Sequence, residues 1–392
     1  MNTSICFLVA AEPAADPRVR RHGDFLHARG WDVSAIGVYG LGIDAGDQAD
    51  WTIRTTRYTP TRFVTRAWLA LVYALAAFLP VLWKRCYWRL PHVRGMWQVA
   101  RNQSAEIYVA NDWLMLPLAH ALARRHGGRV VYDSHEDALT ENAHSWRAQL
   151  LITPMARRAE ACFVARCHAV MTVSEAIAAT LRKRYRLTEH PTVVRNAPAY
   201  RAFQPRPTGE RITILYHGVF TRNRGLEEII DSVVEWPPQY DLVLRGFGGL
   251  AKDLETRVTR LRLGTRIRIE DAIPAAELID AATTADIGLV GMPPTSAHNR
   301  GGLPNKFFEY VQARLAIWGV ADSPEMSAFL KRHNLGFETR CATPSLLAES
   351  LKRLSRADID RWKRASHVAA EDMSFEQLTA EPLIRVLEGA CS

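Results

Sequence analysis

Short apolar runs of strand length alternate with longer amphipathic stretches over most of the chain. Residues 5–10 form the first run, and a predicted helix at 19–29 follows and stops at Gly30. The other predicted strands of this half are 31–38, 51–58, 107–110, 129–132, 169–173 and 192–195, and the other helices are 114–125, 150–167 and 174–184. Strands separated by helices predict a parallel sheet with helices on both faces.

Residues 196–210 interrupt this alternation with three prolines, Pro198, Pro205 and Pro207, and several charges. The stretch predicts a linker at 198–210, with one domain at 1–197 and a second at 211–392 that ends in closing helices. The second domain repeats the architecture without repeating the sequence. Its predicted strands are 212–216, 240–244, 267–269, 287–290 and 316–320, and its predicted helices are 225–234, 251–261, 275–282 and 306–313, with further helices to the end. The fold class is therefore α/β, with two doubly wound domains and ligands expected at the carboxyl ends of the strands.

A different element, residues 62–89, lies inside the first domain. Its centre, 67–83, is about 17 residues without a charge, which is marginal for crossing a bilayer. Basic residues flank it, and Trp and Tyr cluster at its ends. This pattern favours an element lying against an anionic membrane surface. Two alternatives stay open at this point: a buried helix of the first domain and a helix that spans the membrane.

Composition narrows the class of protein. The chain has 392 residues, 48% of them apolar and 23% charged, which is ordinary for a globular protein. Its net charge of +9 suits anionic partners, but the basic residues are spread out, so no nucleic-acid partner is expected. Six cysteines without a Cys-x-x-Cys pair, and an N-terminus without a basic leader, predict reduced thiols in a cytoplasmic protein.

Residues 216–225 follow the first strand of the second domain and open a helix. Gly218 allows a backbone to approach a phosphate, and Arg222 and Arg224 add positive charge at the helix start, where N–H groups are unpaired. The alternative is an ordinary strand–helix turn with solvated arginines. Gly246, in a second glycine turn at 245–249, is a weaker candidate, because such turns are common.

Residues 300–310 are the most specific stretch. Gly301, Gly302, Leu303 and Pro304 predict a loop, and Asn305 is placed to cap the helix that follows. Lys306 falls in the first turn, where the helix dipole disfavours a cation unless an anion binds there. Glu309 is one turn further along on the same face. The pattern predicts a nucleotide-sugar site, with a cation for phosphate and a carboxylate for hydroxyl groups; a local Lys306–Glu309 pair is the alternative.

Two segments of the first domain carry polar side chains after strands. Residues 132–137 include His135, which suits hydrogen bonding or acid–base chemistry; a purely structural His135 and a metal site with His144 are the alternatives. Three ligands in one tight loop seldom share an ion, so no metal is predicted. Asp16 and Arg18 follow the first strand as candidates for the acceptor side of the site, or as a simple helix cap with solvated arginines.

The order of these motifs resembles that of the family 4 glycosyltransferases over nearly the whole chain. The matching segments are DPRVRR (16–21), YDSHE (132–136), VSE (173–175), HGVFTRNRG (217–225), GFG (246–248) and LPNKFFEY (303–310). The last is similar to an LPNK-x-FEY motif of a bacterial polysaccharide-assembly branch. The resemblance implies the GT-B fold, in which two Rossmann-like domains face each other across a cleft. It also implies sugar transfer from a nucleotide donor with retention of anomeric configuration, usually without a metal.

Site roles follow from this resemblance, position by position. His135 corresponds to the histidine that contacts the donor sugar near the reaction centre, Arg224 and Lys306 to the contacts with the diphosphate, and Glu309 to the contact with the ribose. Gly301 stands where the family has a glutamate, and Val219 where it often has an arginine. Backbone N–H groups of 301–303 are expected to hold the sugar in place of that glutamate.

The function expected from the resemblance is a hexosyltransferase that uses a UDP- or GDP-linked sugar and no further cofactor. Its expected acceptor is a glycan or a lipid-linked molecule, in cell-surface polysaccharide or glycoconjugate synthesis. The expected location is the cytoplasm, peripheral to the inner face of the membrane. A non-catalytic protein of the same fold that binds a nucleotide sugar or glycan is the alternative, because the carboxylate at position 301 is missing. We see no carboxylate pair of the kind a glycoside hydrolase uses.

Overall fold

A computed structural model describes residues 3–39, 49–58, 63–140, 145–292, 302–340 and 342–391. The chain forms two compact units, the first from Met1–Val194 together with Ala380–Ser392 and the second from Arg195–Thr379. These limits differ from the expected ones in two places. The proline-rich stretch belongs to the second unit, and the last helix belongs to the first.

The first unit contains a seven-stranded parallel sheet in the order β3-β2-β1-β4-β5-β6-β7. Its strands are β1 (Ser4–Leu8), β2 (Asp32–Tyr39), β3 (Thr52–Arg57), β4 (Ile107–Asn111), β5 (Arg129–Ser134), β6 (Ala169–Thr172) and β7 (Thr192–Val193). The central strands β1, β4 and β5 are buried over nearly their whole length because helices cover both faces, as in other parallel sheets. The α/β class predicted from the alternation is confirmed.

Helices α1 to α8 connect these strands. They are α1 (Pro17–Ala28), α2 (Phe63–Phe78), α3 (Trp83–Tyr87), α4 (Pro91–Ala100), α5 (Leu116–His126), α6 (Trp146–Leu151), α7 (Thr153–Phe163) and α8 (Glu175–Tyr185). The predicted helix 150–167 is wrong as a single element. Pro154 lies in the first turn of α7, where its missing N–H is tolerated, and the chain breaks between α6 and α7 just before it.

The second unit contains a six-stranded parallel sheet in the order β10-β9-β8-β11-β12-β13. Its strands are β8 (Ile212–Val219), β9 (Tyr240–Phe247), β10 (Ile267–Glu270), β11 (Ile287–Met292), β12 (Ala316–Ala321) and β13 (Gly336–Glu338). Strand β13 was not predicted, since only helices were expected after residue 320. It is three residues long and only partly buried, so it has no apolar run to reveal it.

The remaining helices complete the second unit and return to the first. They are α9 (Leu226–Ser232), α10 (Ala251–Arg260), α11 (Leu278–Ala282), α12 (Asn305–Gln312), α13 (Pro324–His333), α14 (Pro344–Lys352), α15 (Arg356–Ala369) and α16 (Glu381–Cys391). Helix α16 buries Leu383 and Leu387 in the core of the first unit, beside Ile5 and Val109. That apolar face explains why the end of the chain packs on the first sheet.

Candidate functional site

Two strand ends of the second unit form a tight glycine contact. Strands β8 and β9 extend beyond their predicted ends, and Gly218 pairs with Gly246 in register. Gly218 has φ 134° and Gly246 has φ 159°, a backbone range that other residues seldom adopt. A Cβ at Gly246 would overlap the carbonyl of Gly218. Both glycines are needed for this approach, and together they form a backbone surface without side chains at the carboxyl ends of the strands.

Lys306 lies directly over that surface. Its Nζ is 3.6 Å from the centre of the Tyr216 ring, and it would be 3.1 Å from a Cβ placed on Gly218. Burial, and then the positive charge of Arg224, lower the pKa of Lys306 well below its ordinary value, against the opposing effect of Glu309. Arg224 ends a 3₁₀ turn, Arg222–Arg224, and its carbonyl packs against Gly291. The amine of Lys306 and the guanidinium of Arg224 are therefore brought together, an arrangement in which a bound anion would favour the charged form of Lys306.

Glu309 lies one turn after Lys306 on α12. Its Oε2 is 2.8 Å from Nε2 of His217, a residue at the end of β8. His217 is 2% exposed, and its backbone N–H donates to the hydroxyl of Tyr310 at 3.0 Å. The ring and the backbone of His217 are thus both held by α12. This pairing fixes the direction of the Glu309 carboxylate, and the sequence did not single His217 out.

The other residues predicted for the donor site differ in exposure and in their contacts. Arg222 is exposed, Leu303 is buried, and the carbonyl of Gly302 accepts a 3.4 Å hydrogen bond from Ser323. Asn305 is the first residue of α12 and Pro304 is its N-cap, so the predicted cap at Asn305 is wrong. Pro304 supplies the extended conformation a cap requires but no side-chain acceptor. Gly301 lies outside the described residues.

A buried ion pair anchors the polar cluster of the first unit. Arg18 donates to both carboxylate oxygens of Asp133 at 2.8 Å and to the carbonyl of Val194 at 2.7 Å. Arg18 is 3% exposed and Asp133 is fully buried. Asp16 caps α1 by accepting from the N–H groups of Arg18 and Val19. Capping by Asp16 is observed, whereas Arg18 is buried and not solvated; an acceptor contact of Asp16 and Arg18 stays a prediction.

His135 lies between two carboxylates. Its Nε2 is 3.2 Å from Oδ2 of Asp133, and its Nδ1 is 3.5 Å from Oδ2 of Asp112, at the end of β4. Burial alone lowers the pKa of His135, but the charges of Asp112 and Asp133 outweigh it and raise the pKa to about 9. Burial likewise raises the pKa of Asp133, yet Arg18 and His135 hold it well below its ordinary value. The ring is therefore a cation at neutral pH.

The metal alternative for this loop depended on Asp133, His135, Glu136 and His144. Within the part of the chain that the structure describes, no three His, Cys, Asp or Glu side chains are arranged to hold an ion. The carboxylate of Asp133 already forms hydrogen bonds with Arg18 and His135. His144 lies outside the described residues, and independence from metal stays a prediction.

Helix α2 presents one face to the protein and another to solvent. Val72 and Ala76 pack in a core with Tyr87 and Met155. The other face forms an apolar ridge with the following turn and α6. Its exposed side chains are Trp68, Leu71, Phe78, Leu79, Val81, Trp146 and Leu150. The buried-helix alternative describes the first face, and membrane association of the second face stays a prediction.

None of the described helices alone has the length and apolar character to cross a bilayer. The segments Thr65–Phe78 and Pro80–Tyr87 reach those criteria only as a pair, and they are bent by 120° at the break between them.

Asp112 and His217 are the main residues that sequence reasoning missed. Asp112 directly follows a buried strand, as His135 does, so the rule that polar residues at strand ends form sites could have found it. His217 was quoted only as part of a motif. Its signal is a histidine at the last buried position of a strand, where an unpaired ring is unfavourable.

Comparison with known proteins agrees with the fold. Residues 18–197 match the sequence profile of Glycosyltransferase Family 4. Sucrose-phosphate synthase from Thermosynechococcus elongatus is similar in structure, with a TM-score of 0.73, 16% identity and 100% of each chain covered. Anabaena HepE in complex with UDP-glucose has a TM-score of 0.67 and 15% identity, with 99% of each chain covered. No curated protein sequence matches the chain.

A third neighbour is an S. aureus TarM mutant in complex with Fondaparinux, alpha-GlcNAc-glycerol and UDP, with a TM-score of 0.68, 9% identity and full coverage of both chains. Identities this low show a shared fold, and the family match rests on the first unit. The predicted resemblance is confirmed: residues 18–197 match family 4 of the glycosyltransferases, and the whole chain shares the two-domain α/β fold, GT-B, of these structures.

Proposed function

We propose that the protein transfers a sugar from a nucleoside diphosphate donor to a glycan or lipid-linked acceptor. The observation that carries this proposal is the position of Lys306 over Gly218, beside Arg224. Two cations at helix starts suit a diphosphate, whose negative charge grows as the bond to the sugar breaks. The UDP and UDP-glucose complexes of HepE support a donor of this kind.

The chemistry proposed for the site follows from these positions. Lys306 and Arg224 stabilise the leaving diphosphate, Glu309 binds the ribose, and His135 donates a hydrogen bond to the donor sugar. The acceptor hydroxyl attacks on the face that the diphosphate leaves and passes its proton to the departing phosphate. The products then retain the anomeric configuration, as the family 4 match favours, and no metal is required. A hexosyl donor is proposed on the same ground.

A direct assay tests this proposal. Purified protein is screened by thermal shift with UDP- and GDP-linked sugars; a ligand at 100 times its Kd stabilises by about 2.7 kcal/mol. Stabilising donors are then assayed for release of nucleoside diphosphate, with and without a chelator. Lys306→Met should abolish the stabilisation, whereas Lys252→Met, an exposed lysine on α10, should leave it intact.

The outcomes separate the alternatives. Stabilisation with turnover supports the transferase, and stabilisation without hydrolysis or transfer, whatever the acceptor, supports a nucleotide-sugar-binding protein instead. No stabilisation by any nucleotide sugar, or an equal effect in Lys306→Met, contradicts the proposed site. Activity lost to the chelator and restored by zinc contradicts the metal-free mechanism.

We also propose that the apolar ridge rests on an anionic membrane. No Asp or Glu occurs between residues 62 and 105, whereas Arg66, Lys84, Arg85 and Arg89 do. The one acidic residue in α6 and α7 is Glu160, which is buried and accepts from the hydroxyls of Tyr132 and Tyr185. A basic surface with exposed aromatic and aliphatic side chains suits anionic lipid. The protein would then meet lipid-linked acceptors at the inner face of the cytoplasmic membrane, in cell-surface polysaccharide synthesis.

A further inference from the structure

Asp112 has a backbone conformation that residues with a side chain seldom adopt. Its φ is 64° and its ψ is 165°, in a region essentially reserved for glycine. The strain persists because neighbouring hydrogen bonds hold the turn. The N–H of Asp112 donates to the carbonyl of Asp133 at 2.9 Å, and the N–H of Met115 donates to the carbonyl of Asp112 at 3.1 Å. A glycine would fit this position with less strain, so the aspartate calls for an explanation beyond the fold.

The carboxylate of Asp112 engages His135 twice. Oδ1 accepts from the backbone N–H of His135 at 3.1 Å, and Oδ2 lies 3.5 Å from the ring Nδ1. On the other side of the ring, Nε2 is held by Asp133 at 3.2 Å. The strained turn therefore aims Asp112 at both the main chain and the ring of the same residue. The longer Nδ1 distance leaves that N–H able to bind another acceptor.

The two carboxylates beside His135 have different environments. Asp133 is fully buried and already neutralised by Arg18, whereas the side chain of Asp112 is 45% exposed. Three charged or titratable groups of α1 and its cap also face this cluster. Arg18 lowers the pKa of His135, and His22 is neutral because burial, and then Arg18, lower its pKa. Burial raises the pKa of Asp112 against the effect of His135, and Asp16 adds to that rise. Among these groups, Asp112 is the one carboxylate facing Nδ1.

We propose that Asp112 is a positioning residue, which fixes the ring of His135 and keeps it protonated so that Nδ1–H is offered to the donor sugar. The inference rests on the proposed transfer function, because it assigns His135 to the sugar. A protonated ring donates a stronger hydrogen bond to a hydroxyl than a neutral ring does. The strain at Asp112 is retained because its carboxylate binds His135. A glycine would fit the turn without strain but could not bind the ring.

The first test follows His135 itself and needs no activity. Protein labelled with ¹⁵N-histidine is titrated by NMR, and His135→Gln assigns the signal. The pKa of His135, about 9 in the parent, should fall by about one unit or more in Asp112→Asn, since an opposite charge at this range shifts a pKa by about 1–3 units. Asp137→Asn is the matched control, because it removes the same charge two residues from His135 but from a carboxylate bound to Arg184. Unchanged titration in Asp112→Asn overturns the proposal.

The second test measures function. The alkaline limb of kcat/KM should move to lower pH in Asp112→Asn by the same amount as the NMR pKa, and should stay in place in Asp137→Asn. Asp112→Gly should lower kcat as Asp112→Asn does, although glycine suits the backbone of this turn. An alkaline limb that does not move, or an unchanged kcat in Asp112→Gly, overturns the proposal. If the parent transfers no sugar, the NMR titration still decides the Asp112–His135 coupling, and only the transfer function fails.

Discussion

The ring of His217 and the carboxylate of Glu309 lie 2.8 Å apart, although 92 positions separate them in the chain. The contact joins the end of β8 to the second turn of α12, the two segments that carry Gly218 and Lys306. It fixes the Glu309 carboxylate before any ligand binds. A carboxylate held in this way loses little entropy when it accepts hydroxyl groups.

Removing either partner should weaken nucleotide binding. We expect Glu309→Ala to reduce the affinity for the nucleoside diphosphate by about 10- to 150-fold, since a hydrogen bond to a charged group contributes about 1.5–3 kcal/mol. His217→Ala should lose a smaller part of this affinity, because the carboxylate remains but is no longer directed. Turnover at saturating donor should fall less than affinity in both, because ribose contacts change little in the transition state. Calorimetry with UDP and GDP measures the loss; affinities equal to that of the parent would place the ribose elsewhere.

Nucleotide binding should take up a proton. Lys306 has a pKa far below its ordinary value while no anion is bound, and a diphosphate would raise that pKa. Affinity should therefore fall as the pH rises through the pKa of Lys306 in the free protein. Calorimetry in Hepes and Tris, whose ionisation enthalpies differ and which do not compete for an anion site, should show uptake of up to about one proton. The uptake should disappear in Lys306→Met and persist in Lys252→Met; uptake that survives in Lys306→Met would assign it to another group.

Gly246→Ala should destabilise the second unit and reduce nucleotide affinity. The added methyl group would overlap the carbonyl of Gly218, which is backbone and cannot turn aside. Such overpacking costs about 1–3 kcal/mol, or roughly 2–4 °C in Tm for each kcal/mol in a unit of this size. Gly249→Ala is the matched control, because nothing lies within 4 Å of its Cβ position. Equal Tm values for the two variants would contradict the tight contact between β8 and β9.

The stability of the first unit should decline on the alkaline side because of His135. Its pKa is raised from 6.5 to about 9, so its contribution is fully present below pH 6.5 and is lost as the pH rises to about 9. The difference in unfolding free energy between the parent and His135→Gln should therefore shrink over this range. Urea unfolding at several pH values measures it. A difference that does not depend on pH would show that His135 is not charged in the folded protein.

Liposome binding should depend on both the charge and the apolar side chains of the ridge. Replacing Arg62, Arg66, Lys84, Arg85 and Arg89 with Gln should abolish co-sedimentation with anionic vesicles. Each basic residue near the surface contributes about 1 kcal/mol to the binding free energy. Serine at Phe78, Leu79 and Val81, which are 47–88% exposed, should have a similar effect.

Serine at Val234, Leu346 and Val368 is the matched control for the apolar variant, since these residues are also exposed but lie in the second unit. Binding that is absent in the parent, or unchanged in both ridge variants, would refute the membrane proposal.

Local patterns in the sequence determined most of the architecture. Buried parallel strands are continuous apolar runs, and helices are amphipathic, so both sheets and the order of their elements followed from short windows. Gly218 and Lys306 were also selected from local sequence, Lys306 because the helix dipole disfavours a cation in a first turn, and their roles stay predictions. Strand β13 and the break before Thr153 were not predicted from the sequence. A short, half-exposed strand and a proline in a first turn leave little periodicity.

The tertiary structure decided which side chains meet. Arg18 contacts Asp133 across 115 positions, and neither segment alone indicates whether its charges face solvent or each other. The same is true of Asp112 with His135 and of His217 with Glu309. Periodicity places a residue on a strand end or a helix face, but a contact between distant segments depends on strand order and on the directions of the side chains. Those follow from packing both faces of each sheet at once, which no single stretch of the chain contains.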